Sequence, residues 1–333
     1  MTLDTALLHY QATHPLWDAG TTRNLVNHGP MASEALEALG RLDALPALQA
    51  AYVPELLQPW QVAPGQPRPE ELGRYEDLAQ WSSFYLGFAD PIALLKAELP
   101  GLLPGVLGAS LHGLLRVAHG LRAWQRHPTE PRRREIAYGL ALWAGGFREL
   151  PGQIAAGELD LIEALETLPS IPLHLKRPGL ISDRALAVWD WPEFGAHLAR
   201  IALPQDPGAA ISELTAWAAR RVLVEDEAGF VYLHALTAST SLRTLLPLLD
   251  SQGQQRALGV LVQALLALEL THRGTAQALD SGIYDTVGLV DRAIEITNDH
   301  GIKFVEAVLR EQAIQARPER VAAAWKMLES MAP

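Results

Sequence analysis

Five histidines and one lysine carry most of the chemistry this chain can offer. His28 in "LVNHGPMASEAL", His112 and His119 in "SLHGLLRVAHGL", His234 in "FVYLHALTAS" and His300 in "NDHGIKF" sit among apolar or small residues. A buried imidazole needs a partner, because an unsatisfied polar group in a core costs about 1–3 kcal/mol. Taken singly, each reads as a core histidine satisfied by a hydrogen bond. Several on different helices read as a metal site, since all-α proteins build such sites from facing helices. The chain has no cysteine, so a metal would be held by nitrogen and oxygen. The remaining histidines (His9, His14, His127, His174, His197 and His272) lie beside turns, prolines or polar neighbours and read as surface or structural groups.

His112 and His119 are seven apart, about 10.5 Å along a helix axis, so they share a face but not readily one metal. His112 is the preferred ligand. Lys303 stands three residues after His300 and is its neighbour on a helix surface. The chain spends 23 arginines but only four lysines, so a lysine there invites a question. One answer is bland: it snorkels from the surface, or pairs with Asp299 or Glu306. The other is chemical. Desolvation can lower a lysine's pKa until the neutral amine is available, and that amine can take up carbon dioxide to give a carbamate, an oxygen donor for a hard metal. Arginine, always charged, can do neither. Asp299, beside His300, reads either as a plain helix-surface acid or as the partner that fixes an imidazole tautomer.

The elements that must position these groups are helices. "ASEALEALGRLDALPALQAAY" and "QRALGVLVQALLALELTHRG" repeat apolar residues at three and four. Start signals recur at Gly29-Pro30, at Thr129 before Pro131, at Ser182-Asp183 and at Pro318. "RVLVEDEAGFVYLHALT" reads as helix, turn, helix. Proline- and glycine-rich segments at 58–70, 99–105, 169–180 and 203–209 read as loops within a single all-α domain over residues 1–333, of roughly a dozen helices in one or two lobes.

Composition narrows the function. A net charge of −11 argues against nucleic acid or an anionic membrane as the main partner. The one dense basic run, "PRRRE" at 131–135, reads as a solvated helix start. No run reaches the length of a bilayer span, and "MTLDTALLHYQATH" has no basic n-region, so a cytoplasmic protein is expected. Diiron bundles need two Glu-x-x-His motifs, and only Glu269–His272 occurs. There is no His-Glu-x-x-His, no Gly-x-Ser-x-Gly and no strand-bound Gly-x-Gly-x-x-Gly.

Four segments in order, "NHGPMASEALEALGRL" (27–42), "SLHGLLRVAHGLRA" (110–123), "FVYLHALTASTSLRTLLPLL" (230–249) and "NDHGIKFVEAVLRE" (298–311), resemble the questin oxidase-like family of aromatic-polyketide pathways and its bacterial relatives. The resemblance implies an oxygenase that opens or inserts oxygen into anthraquinone-type rings. It implies a non-haem ferrous iron held by His28, His112, His234 and His300 with Lys303 as the carbamate, NADPH as an external reductant, and dioxygen and an aromatic small molecule as partners. Where fungal members read His-Pro-Leu-Ile-His, this chain reads "HGLLR", which puts Arg116 at the later position.

Arg116 and His119 are the catalytic candidates. Arg116 either orients an oxyanion of the substrate or pairs with a carboxylate. Trp143, Trp189, Trp191 and Trp217 are either pocket wall or plain core. Two other classes stay open: a metal-free helical protein that binds an apolar ligand, and a zinc-dependent hydrolase, since a carbamylated lysine also suits zinc.

Overall fold

Aspartate or asparagine side chains cap the starts at Asp90, Asp160, Asp206, Asp250 and Asn298, and proline follows the cap at several others. The computed structural model describes residues 1–17, 24–51, 58–154, 157–225, 229–274 and 284–332. Helices α1 (Leu3–Gln11), α2 (Gly29–Ala38) and α3 (Leu45–Ala51) lead to α4 (Leu78–Leu86) and α5 (Pro91–Leu102). The long pair α6 (His112–Arg126) and α7 (Glu130–Gly146) follows. Short helices α8 (Leu161–Thr167), α9 (Ile181–Ala185) and α10 (Glu193–Ala199) precede α11 (Pro207–Val224), α12 (Gly229–Leu245) and α13 (Ser251–His272). Then come α14 (Leu289–Ile296), α15 (Asp299–Ile314) and α16 (Pro318–Met331).

The protein is all-α; among the described residues the only strand pairings are four isolated bridges. Sixteen α-helices among the described residues exceed the expected dozen, because α3, α8, α9 and α10 have seven residues or fewer, too short to display a period. The segment 221–237 carries helix at both ends, with α11 ending at Val224 and α12 starting at Gly229; residues 226–228, where the turn is expected, lie outside the described residues. No helix among the described residues is long and apolar enough to cross a membrane.

One buried apolar cluster runs from Ala6 to Leu328. Within it α6 lies directly on α7, because glycine lets the two backbones close. A Cβ on Gly113 would come 2.6 Å from the Cβ of Trp143, and one on Gly139 would come 2.9 Å from the backbone nitrogen of Val117. In front of that pair, α2, α6, α12 and α15 form a closed ring in which each packs on the next: α6 on α12, α12 on α15, α15 on α2, and α2 on α6. These four helices carry the five histidines and the lysine singled out above, His28 at the N-cap of α2 and the others inside α6, α12 and α15.

A buried charge network ties the ring together below the histidines. Glu34 of α2 accepts hydrogen bonds from His119, Arg122 and Arg126 of α6, and Arg122 reaches Glu306 of α15 at 2.6 Å. Burial alone would raise the Glu34 carboxyl, but Arg122, His119 and Arg126 outweigh it and hold it well below the ordinary carboxylate range. Removing one member of a buried ion pair leaves an uncompensated charge in the core. Glu34→Ala is therefore expected to destabilise the fold by about 3–5 kcal/mol, read as a lower denaturant midpoint.

The "PRRRE" run is not a solvated face. Arg132 is buried, bonded to Asp4 at 2.7 Å and Glu37 at 2.6 Å, because α1 and α2 cross over the start of α7. Glu135 is buried as well, paired with Arg116. The sequence hides this because the acids that cover the run come from the first forty residues.

Candidate metal centre

His300 and Lys303 are set by the start of α15. The Asn298 side chain accepts from the backbone N–H of His300 and Gly301, at 3.0 and 3.1 Å, and fixes the first helical turn. His28 precedes Gly29-Pro30, which begin α2. His234 lies in the second turn of α12.

His112 follows an unusual stretch: Ala109, Ser110 and Leu111 all have left-handed backbone, with φ of 51°, 53° and 71°. Each such residue costs about 1–2 kcal/mol when it is not glycine. Packing imposes the path, for a Cβ on Gly108 would sit 1.9 Å from the carbonyl oxygen of Gly146. The path brings the Ala109 carbonyl to 2.6 Å from Nδ1 of His112.

The four imidazoles meet inside the ring of helices. His28 stacks on His112 with centroids 4.5 Å apart, His300 meets His28 edge-on at 4.4 Å, and His234 closes the group at 5.1 Å from His112 and 5.5 Å from His300. One nitrogen from each of His28, His112 and His300 can be chosen so that all three lie within 4.8 Å of one another.

Every Nδ1 faces an oxygen. Asp299 takes His28 through Oδ2 at 2.6 Å and His300 through Oδ1 at 3.1 Å. The Phe230 carbonyl lies 2.8 Å from Nδ1 of His234. Carbonyls and carboxylates only accept, so each Nδ1 carries the proton and each Nε2 is the nitrogen left to bind a metal. Nε2 of His112 is buried with no hydrogen-bond partner among the described residues. This donor set, nitrogen ligands with their far sides pinned by oxygen, fits a metal ion.

Burial and mutual repulsion keep the rings neutral. Burial, reinforced by Lys303 and His300, pushes His28 down to about 3. Burial, then neighbouring rings and Lys303, holds His112 and His234 well below the usual imidazole range. Asp299 goes the other way: burial would raise it, but His300 and His28 hold it well below the carboxylate range.

Lys303 is 2% exposed, which removes the snorkelling alternative. Glu306, its other expected partner, is taken up by Arg122 and Arg310. The Lys303 amine makes no hydrogen bond or ion pair to a described residue. Burial drives its pKa from 10.5 down to about 8, with Asp299 opposing. About a tenth of it is then neutral amine at pH 7.

These shifts set the pH dependence of the metal-free protein. Between pH 8 and 10.5 the unfolded chain keeps a proton that folded Lys303 has released, so stability rises with pH, by about 3 kcal/mol over the window. Below about pH 6.5 the unfolded chain takes up protons that the buried rings refuse, so stability falls as the solution is acidified. Denaturation of wild type and Lys303→Met across pH 6–11 checks the upper window, where the rise is expected in the wild type alone.

Arg116 and His119 do not belong to this group. Arg116 is closed on Glu135 through Nε at 2.6 Å and Nη2 at 3.3 Å, and His119 is held by Glu34 in the charge network. Neither lines the cavity beside the imidazoles, where a catalytic role was expected; each is bonded to a carboxylate instead. None of the four tryptophans lines that cavity either. Trp143, Trp191 and Trp217 are core, and Trp189 is exposed.

The cavity, about 770 Å³, opens beside the imidazoles; His28, His112, His234, His300 and Asp299 stand in its wall. Three further wall residues escaped the sequence reading: Tyr75, Arg148 and Arg184. No local signal marks them, since neither arginine lies in a periodic motif or beside a histidine. No protein-family model matches the chain, and no curated protein matches it.

Proposed function

We propose that the protein is a mononuclear non-haem iron oxygenase acting on an aromatic, quinone-like small molecule. Nε2 of His28, His112 and His300 would hold the ion, with His234 and the carboxylated Lys303 completing the set. One observation carries the reading: a buried lysine whose amine has no hydrogen bond to a described residue lies close enough to four imidazoles to lower the pKa of each, and their Nδ1 atoms are already taken. A buried ammonium in that position is costly, and a metal-bound carbamate removes the cost.

The neutral amine would attack carbon dioxide: the N–C bond forms as one C=O π bond opens onto oxygen, and the proton lost from nitrogen leaves to solvent, giving the carbamate anion. Bound at this site, ferrous iron would supply the activation of dioxygen, with NADPH as an external source of electrons for a monooxygenase reaction. The chain's own contribution is orientation and exclusion of water. Asp299 aims two rings, the Ala109 and Phe230 carbonyls aim the other two, and the cavity encloses a substrate of drug-like size.

The same nitrogen and oxygen donors suit zinc, which would make the site hydrolytic. Metal analysis after anaerobic loading with ferrous ion, followed by dioxygen uptake with quinone-like substrates, tests the proposal. About one iron per chain is expected. Zinc with ester hydrolysis would replace the oxygenase by a hydrolase, and no bound metal at all would leave a metal-free binding protein.

A further inference from the structure

The geometry points to a carboxylate-bearing substrate: the cavity beside the imidazoles holds an anion subsite formed by Arg148 and Arg184, with the Tyr75 hydroxyl as a further donor. This rests on reading the cavity as the substrate chamber of the proposed metal centre.

The chain is acidic, with 38 carboxylate residues against 27 basic ones, and its buried guanidiniums are consumed internally. Arg116 is closed on Glu135, Arg122 on Glu34 and Glu306, and Arg243 on Glu311. Arg148 and Arg184 are different. Both stand in the cavity wall, and neither makes an ion pair with a described residue. Nη1 of Arg148 donates to the carbonyls of Gly73 at 2.8 Å and Phe147 at 2.7 Å. Those bonds fix the guanidinium plane and leave Nε and Nη2 for another acceptor. The Arg184 guanidinium has no hydrogen bond to a described residue at all.

Other groups in the wall agree with this assignment. Burial pushes the Tyr75 phenol up to about 12, so it stays a donor at neutral pH. The Ser110 and Ser182 hydroxyls lie 3.4 Å apart in the same wall and add further donors. Two carboxylates also line the cavity. Asp299 is balanced by its two imidazoles, and exposed Asp183 accepts from the Leu180 amide at 3.1 Å. A planar carboxylate matches the edge of a guanidinium, and hydrogen bonds between charged partners are about twice as strong as neutral ones.

The test compares 2-naphthoate with 2-naphthamide, which has the same ring and no charge. Calorimetric titrations would use the metal-loaded protein and the protein stripped by a chelator. The acid is expected to bind about tenfold or more tighter than the amide in both forms. Arg184→Gln, a half-buried change with no internal bond to lose, is expected to remove most of that preference and leave amide affinity unchanged. Arg148→Gln is expected to do the same.

Equal binding of acid and amide, a preference that survives both substitutions, or failure of both probes to bind would overturn the proposal. The two readings fail separately. A protein that takes no metal yet keeps the acid preference loses only the oxygenase. Full metal content without that preference loses only the anion subsite.

Discussion

Lys303→Met is expected to fold, to gain stability in its metal-free form, and to bind essentially no metal. Methionine has nearly the length of lysine and is apolar, so it fills the same space beside the imidazoles without overpacking it. What disappears is a buried ammonium with no hydrogen bond to a described residue. The pKa drop from 10.5 to about 8 puts the gain at up to about 3 kcal/mol near neutral pH.

Metal content should fall from about one ion per chain to nearly none, because the thioether cannot form a carbamate. Lys303→Arg should lose the metal too. It should be less stable than the methionine variant, since a permanent charge and extra volume enter a filled core. A methionine variant that loads ferrous ion like the wild type would show that Lys303 is not a ligand.

Asp299→Asn is expected to weaken metal binding by more than about 100-fold. Oxygen partners of ligating histidines typically contribute about 10–100-fold in affinity, and this carboxylate serves two rings at once. His28 donates to one oxygen at 2.6 Å and His300 to the other at 3.1 Å. An asparagine amide offers one acceptor oxygen and presents N–H donors to the second ring, so at least one imidazole must turn or change tautomer. Competition with a chromophoric chelator measures the affinity. Unchanged affinity would mean that helix packing alone aims the rings.

The sequence makes the helical periodicity and most of the helix starts readable, because both are local. Thr129 and Pro318 mark α7 and α16, and the Gly29-Pro30 pair opens α2. The histidine group is legible as a set of types in apolar surroundings, and helix rise separates His112 from His119 as ligands of one metal without deciding between them. The structure places these two rings in separate environments, one in the imidazole group and one against Glu34.

Other features are products of distant packing. Nothing in "LGASLHG" announces three left-handed residues; the stretch runs tight against Gly146 of the neighbouring helix, a contact no local pattern shows. Arg116 could not be assigned between substrate and carboxylate until α7 brought Glu135 to it. Arg148 and Arg184 look like any of the chain's arginines until the fold sets them in a cavity wall with no ion pair to a described residue.

The most direct measurement is anomalous diffraction at the iron edge from crystals grown after anaerobic ferrous loading. The account predicts one peak at coordination distance, about 2.0–2.3 Å, from Nε2 of His28, His112 and His300, with added density extending from Nζ of Lys303 to the ion. No peak among the imidazoles, or a peak with an unmodified Lys303 pointing away from it, would contradict the account.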